Sequence, residues 1–442
     1  MKKRNADGTL KLKPVESSRE VDRLSDLPDD LIGRVLGFLP TPQAVLTSRL
    51  SRRWRRVWPA HVRALNLSVY DGVGRRLSGL SSGALARFAT PGIPSISLHI
   101  ASHVDIATGD TWYTEAMERA SGSVSITAPR VLNWLKLPRW EALSLLLNDH
   151  GVELQLPPLG VVRFGRLAEL ALSTVRLPSG TPPLHEFLSA CCPRLRRLRL
   201  CAVRGDAVRA LDLRSDALES LDVNNVDQLV TLHVAAPNLR SLSVRSCFRF
   251  PVQSDVETEV VVSAPRMEAV CWYRSYPKRL DFLTADPTAH QVRRLSGLKL
   301  PTRGPSGRFD FPYTIQLLRA FSVTAEQLEL DLILPDDMTL LNWAGQAAGG
   351  EDLLSYVPRL PRVSALSLNG LRWGLGCSVR PSLAELLSRV PNVTRLYVES
   401  NPYCRTVFES QGTVPPRGEY QWGCVDVGAE EKLRLNSLRA LG

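Results

Sequence analysis

Residues 24–59 read LSDLPDDLIGRVLGFLPTPQAVLTSRLSRRWRRVWP, and their spacing predicts three short helices in succession. Leu27-Pro28-Asp29-Asp30 opens the first. Proline suits the first turn because it leaves no amide unbonded there, and two carboxylates suit the positive end of the helix dipole. Leu31, Ile32, Val35, Leu36, Phe38 and Leu39 then form an apolar stripe at helical spacing, which Pro40 ends. Thr41-Pro42 restarts the chain as a cap and a first-turn proline, followed by apolar Ala44, Val45, Leu46 and Leu50. Ser51 caps a third turn carrying Arg52, Arg53, Trp54, Arg55, Arg56, Val57 and Trp58, and Pro59 stops it. Each helix is shorter than the roughly 12–15 residues at which an isolated helix is even marginal in water. About 36 residues are also too few to build a core of their own. Periodicity leaves two readings: a second protein completes the core, or the helices cap whatever follows.

The stretch resembles an F-box, the motif by which substrate receptors dock on the Skp-type adaptor of cullin–RING ubiquitin ligases. The matching pieces are Leu27-Pro28-x-x-Leu31-Ile32, Val35-Leu36, Phe38-Leu39-Pro40, Ala44-Val45, Thr47-Ser48 and Leu50-Ser51-Arg52-Arg53-Trp54-Arg55-x-x-Trp58. The Leu-Ser-Arg-Arg-Trp ending is most like plant members. The resemblance implies an adaptor-binding set of Leu27, Pro28, Leu31, Ile32, Val35, Leu36, Leu39, Val45, Leu50, Trp54 and Trp58, with arginines at its rim. Two features depart from the pattern. Gly33 and Gly37 lie inside the first helix, at a cost of about 1 kcal/mol each relative to alanine. Leu46 and Arg49 stand in exchanged order, although residues three apart share a helix face.

From about Val62 onward a second pattern recurs: apolar-x-x-apolar-x-apolar. Clear copies start at Leu167, Leu195, Leu218, Leu239, Leu295, Val363 and Val393, and weaker ones at Val62, Ile93, Trp140 and Met267. Gln327–Leu332 is a further candidate. From Leu167 to Leu295 the intervals, counting Met267, are 28, 23, 21, 28 and 28 residues, within the roughly 20–29 residue period of leucine-rich repeats. The last two apolar positions are two apart and so point to one side of a short strand. Stacked copies give a parallel sheet with one continuous core, and helices or turns on the convex side. Two such helices are visible: Leu184, Phe187, Leu188 and Cys191 before Pro193, and Leu383, Leu386, Leu387 and Val390 before Pro391. An ordinary α/β fold with buried strands is the alternative. The repeats after an F-box resemble the F-box/leucine-rich-repeat family, whose plant members share forms such as Cys192-Pro193-x-Leu195-x-x-Leu198-x-Leu200.

The expected fold is therefore α/β: a short three-helix F-box followed by a leucine-rich-repeat solenoid with a curved parallel sheet. The expected domains are a disordered leader (1–22), the F-box (23–60), an irregular repeat array with insertions (61–400) and a C-terminal loop and capping segment (401–442). No run approaches the roughly 18 apolar residues of a membrane span, and no secretory signal is visible at the N-terminus. Eight scattered cysteines without a Cys-x-x-Cys pair read as reduced thiols, mostly buried. The net charge of +11 would suit acidic partners or nucleic acid, but no aromatic interleaving accompanies it, so an arginine-rich solvated surface is preferred.

No catalytic constellation is visible, and the chain is not expected to be an enzyme. None of the seven histidines forms His-Glu-x-x-His. His99, His103 and Asp105 would suit a metal only on a helix, and they fall in a strand-like repeat. Gly72-Val73-Gly74 lacks the third glycine of a dinucleotide site. No cofactor or metal is expected. The working surface of a solenoid is usually its concave sheet. The outward residues there include Arg197, Arg199, Asp222, Asn224, Arg245, Tyr273, Lys299, Asn369, Arg395, Tyr397 and Glu399. Arginine and aromatic residues are typical binding hot spots. The expected partners are a Skp-type adaptor, through it a cullin, and a protein substrate, in the nucleus or cytoplasm. A protein-binding scaffold outside any ligase is the alternative function.

Overall fold

The computed structural model describes residues 26–39, 41–61, 64–69, 92–100, 119–127, 144–148, 154, 156, 159, 164–248, 256–283, 291–301, 310–333, 352–371 and 380–400. The expected leader, the segment 401–442, Pro40, Val62, Gly72-Val73-Gly74, His103, Asp105, Trp140 and Cys377 lie outside the described residues.

Helices α1 (Asp29–Gly37), α2 (Thr41–Leu46) and α3 (Arg52–His61) form as the sequence predicts, with a 3-10 turn at Thr47–Arg49. Pro28 sits one residue before α1 in an extended conformation, and its carbonyl accepts the first helical bond from Ile32 N at 3.0 Å. Ser51 caps α3, its Oγ accepting from Trp54 N at 3.2 Å. Three boundaries differ from expectation: α1 ends at Gly37, α2 includes Thr41, which was expected as its cap, and α3 runs through Pro59 to His61.

The described strands, in chain order, are β1 (Ala64–Val69), β2 (Ile93–Ile100), β3 (Ala120–Thr127), β4 (Ser144–Asn148), β5 (Glu169–Ser173), β6 (Arg197–Cys201), β7 (Ala210–Arg214), β8 (Ser220–Asn224), β9 (Thr231–Ala235), β10 (Ser241–Arg245), β11 (Glu259–Ser263), β12 (Ala269–Tyr273), β13 (Arg279–Phe282), β14 (Arg294–Pro301), β15 (Gln327–Ile333), β16 (Ala365–Leu371) and β17 (Arg395–Ser400). Thirteen of them make one parallel sheet in the order β1-β2-β3-β4-β5-β6-β8-β10-β12-β14-β15-β16-β17. Each joins its neighbour after one coil of chain, which is the topology of a repeat solenoid.

Strand alternation fills the interior. Leu170, Leu198, Leu221, Leu242, Val270 and Leu295 stand side by side across consecutive strands and are all buried. The loop anchors Leu167, Leu195, Leu218, Leu239, Met267 and Val292 lie buried beneath them. Two expected frames are therefore corrected. Leu295 is the first core residue of its strand and not the loop anchor, which is Val292. In β4, Leu145 occupies the position of Leu170, so the copy read from Trp140 is displaced by two residues. Around Trp140 the bare pattern matches in either frame, whereas from Val292 it breaks at Gly297, where the last apolar residue should stand, so the match from Leu295 is the one the spacing shows.

The opposite side of the solenoid differs more. Between β6 and β14 the predicted convex helices give way to a second parallel sheet, ordered β13-β11-β9-β7. Leu211 and Leu213, Leu232 and Val234, and Val260 and Val262 point inward from it and are buried. Coils this short have little room for a helix, and their alternation has the two-residue period of strands. Flanking helices cover the edge strands. From α4 (Leu184–Cys191), His185 Nδ1 donates to the Ala210 carbonyl on β7 at 3.1 Å. From α5 (Asp310–Ala320), Gln316 Nε2 donates to the Leu280 carbonyl on β13 at 2.7 Å. Helix α4 is the first of the two predicted from sequence, and all four of its stripe residues are buried. Helix α6 (Arg380–Arg389) is the second and precedes β17.

A turn repeats at the exit of five open-face strands. Thr174, Ala202, Asn225, Ser246 and Arg274 follow β5, β6, β8, β10 and β12, and all have φ between 47° and 56°. The first four each donate a backbone N–H to the last carbonyl of the next strand at 2.7–2.8 Å. The ladder thus continues one residue past the strand before the chain turns.

Candidate protein-docking surfaces

The helical segment is fastened to the solenoid through β1. Asn66 on β1 donates from Nδ2 to the carbonyls of Gly37 at 2.6 Å and Leu39 at 3.3 Å. Its backbone N–H donates to Thr41 Oγ1 at 2.8 Å. Ile32, Leu36, Ala44, Val57 and Trp58 join Leu65 in a hydrophobic core that is continuous with the repeats. Arg53 ties α3 to the start of α1: Nε donates to Asp29 Oδ1 at 2.7 Å, and Nη2 reaches the Leu27 carbonyl. From sequence Arg53 was one of a run of solvated arginines.

The apolar stripe therefore splits in two. Ile32, Leu36 and Trp58 face the chain's own interior, which corrects their expected place on the docking surface. Helical periodicity shows that a face is apolar, but not which neighbour covers it. Leu27, Leu39, Val45 and Trp54 lie partly buried against the core, and Pro28 is exposed. Leu31, Val35 and Leu50 are exposed, Leu50 at 70%. Two residues outside the expected set join them: Phe38, 85% exposed, and Leu46. Leu46 had a signal in the sequence, since it is the apolar half of the exchanged pair. Leu31 and Val35 lie on α1 with Phe38 just past its end, Leu46 ends α2 and Leu50 follows the 3-10 turn; five large apolar side chains left in solvent within twenty residues are the kind of feature that marks a protein contact.

The second surface is the open face of the long sheet. It brings five of the expected residues into adjoining places: Arg199 on β6, Asp222 on β8, Arg245 on β10, Tyr273 on β12 and Lys299 on β14. Asp222, only 14% exposed, takes Arg199 Nε at 3.2 Å and Arg245 Nη2 at 2.9 Å. Burial opposes the charge on Arg245, but the hydrogen bond and charge of Asp222 outweigh it and hold its pKa above the usual arginine range. Asn224 Nδ2 lies 3.6 Å from Cys201 Sγ, and Arg197 pairs with Glu169. Arg395 and Tyr397 lie on β17, at the far end of the sheet from this group. Asn369 donates to Glu329 at 2.6 Å.

Lys299 reaches its place through a bulge. The β14 register shifts between Leu295 and Leu298, and Gly297 between them has φ of 72°. Simple alternation from Leu295 would turn Lys299 inward. The extra residue turns Leu298 and Leu300 inward and Lys299 outward, with Nζ 5.0 Å from the Tyr273 ring centroid. Arg274, absent from the expected set, places its guanidinium 5.7 Å from the same centroid. Among the described residues no group of three or more His, Cys, Asp or Glu is arranged to hold a metal ion.

A helical motif with an exposed apolar crest, clasped to a solenoid of parallel strands, defines a protein-docking repeat architecture. Comparison with known proteins gives it a family. The F-box domain matches residues 24–61, and the leucine-rich repeats of FBD-associated F-box protein At5g56370 match residues 130–286. Putative F-box protein At2g39415 of Arabidopsis thaliana is 36% identical over 88 residues, 19% of this chain and 71% of that protein. F-box protein At5g03100 of the same plant is 33% identical over 109 residues, 24% of this chain and 33% of that protein. Putative F-box protein At1g64540, also from Arabidopsis thaliana, is 30% identical over 179 residues, 40% of this chain and 38% of that protein. The chain thus spans about a third of the length of the last two relatives. It belongs to the plant F-box/leucine-rich-repeat proteins.

Proposed function

We propose that this chain is the substrate-recognition subunit of an SCF-type E3 ubiquitin ligase, acting in the nucleus or cytoplasm. Its helices dock on a Skp-type adaptor and through it on a cullin. The open face of the repeats holds a target protein within reach of the ubiquitin-charged enzyme. In this reading the chain forms no covalent bond itself. It acts by proximity, which raises the effective concentration of the reacting groups.

The observation that carries this reading is the exposed crest of Leu31, Val35, Phe38, Leu46 and Leu50 on helices whose other face is already used. Co-expression with a Skp-type adaptor tests it. The full chain should elute with the adaptor as one complex. Val35→Glu with Leu50→Glu, both at exposed positions, should abolish co-elution and leave the repeats folded by circular dichroism. Undiminished co-elution of that variant, or none for the unmodified chain, would instead support a scaffold that works outside a ligase.

A further inference from the structure

We infer that the run of Arg199, Arg245, Arg274 and Lys299, with Tyr273 toward its far end, receives an extended acidic segment of the target protein. This inference rests on the reading of the open face as the target-holding surface, and it adds the chemistry of what is held.

Charge is the first observation. Four cations share this region with three carboxylates, Asp222 beside Arg199 and Arg245, Asp331 across from Lys299 on β15, and Glu329 on the same face of β15, where it accepts from Asn369. A positive excess remains. The small sheet on the other side differs, because Arg214 and Arg279 on its strands each have a carboxylate of their own, Asp212 at 3.0 Å and Asp281 at 2.6 Å, whereas Arg199 and Arg245 share one.

Shape is the second. Ser243, Cys271 and Ser296 occupy the middle outward positions of β10, β12 and β14, so the floor between the cations is low. From Arg199 to Lys299 the cluster crosses four interstrand spacings, roughly 19 Å. That is the reach of about six extended residues. Tyr273, with Arg274 and Lys299 over its ring, puts an aromatic side chain at one end of this path.

Asp222 and Asp331 interrupt the positive field and would repel a continuous phosphate backbone. One tyrosine is not the row of aromatic platforms on which single strands stack. The arrangement favours a peptide whose carboxylates alternate with neutral residues.

The test uses the full chain in complex with its adaptor and a fluorescein-labelled peptide of alternating glutamate and glycine, read by fluorescence polarisation. Matching glutamine and lysine peptides and an oligothymidine serve as comparators. The glutamate peptide should bind, and more weakly as salt rises, while the glutamine and lysine peptides should not. Arg274→Glu with Lys299→Glu should lower its affinity about tenfold or more, and the milder Arg274→Gln with Lys299→Gln should lower it less. Arg214→Glu with Arg279→Glu makes the same change in net charge on the opposite face and should leave binding unchanged. Equal losses from both glutamate pairs, no binding of the glutamate peptide, or tighter oligothymidine binding through Arg274 and Lys299 would each overturn the inference. Co-elution with the adaptor reads only the helical crest, so failure of the ligase reading is seen separately.

Discussion

Gly33 and His61 meet so closely that a side chain at Gly33 has no room: a Cβ there would lie 2.6 Å from both the Cβ and the carbonyl oxygen of His61. From sequence alone both glycines of α1 are a weakness. In the folded chain Gly33 is what lets the end of α3 reach α1. Gly33→Ala should therefore shift one helix against the other and cost about 1–3 kcal/mol. Gly37 is different, because an added Cβ meets only Ala64 Cβ at an ordinary 3.7 Å. Gly37→Ala should stabilise by up to about 1 kcal/mol through its helix propensity. Thermal unfolding of both variants checks this, and a Gly33→Ala protein as stable as the parent would contradict the close contact.

Asn66 supplies a second prediction. Its amide satisfies two carbonyls at the end of α1, and its backbone meets Thr41. Asn66→Ala leaves those carbonyls without a donor and should cost about 1–3 kcal/mol. The loss is local to the joint between helices and solenoid. Limited proteolysis should show faster cutting near α1 and α2, while the fragment pattern from the repeats stays the same.

The strand exits give a third. Ala202 is held at φ of 52°, a conformation that costs a non-glycine residue roughly 1–2 kcal/mol. Glycine is free of that cost but gains freedom in the unfolded chain, which returns about 0.5–1 kcal/mol. Ala202→Gly should be neutral or stabilising by up to about 1 kcal/mol. Ala269→Gly, at the start of β12, should destabilise by a similar amount. Paired urea titrations measure the contrast. Equal losses at both positions would mean that the left-handed turn is absent.

Cys192 makes stability depend on pH. Burial, with a smaller contribution from neighbouring Cys191, pushes its thiol pKa far above the usual range. The unfolded thiol ionises near about 8.5. Above that pH the unfolded state releases a proton that the folded state keeps, so stability falls as pH rises; below it the group has no effect. Cys192→Ala should make the loss between about pH 8.5 and 10 shallower, as read by urea unfolding at several pH values.

Much of this molecule was legible in short-range spacing. The leucine pattern located the strands from Leu167 to Leu242 residue by residue, because one anchor and two inward side chains form a signature that loops rarely imitate. The stripes at Leu184 and Leu386 located two helices for the same reason. The second sheet was missed, because the alternation of Leu211 with Leu213 and Leu232 with Val234 is a weaker signal than the repeat beside it. The bulge at Gly297 left no periodic trace.

The sequence by itself determined that three short helices precede a stack of parallel strands, since prolines, the Ser51 cap and two- and three-residue periods act within a few residues of themselves. Only the tertiary structure decided which apolar residues remain outside. Ile32, Leu36 and Trp58 are buried in the core they share with Leu65 of β1, whereas Leu31, Val35, Phe38, Leu46 and Leu50 stay exposed. It also brought Arg199, Asp222, Arg245, Tyr273 and Lys299, spread over five strands, onto one surface. Exposure and adjacency depend on segments far apart in the chain, and no local pattern encodes where those segments meet.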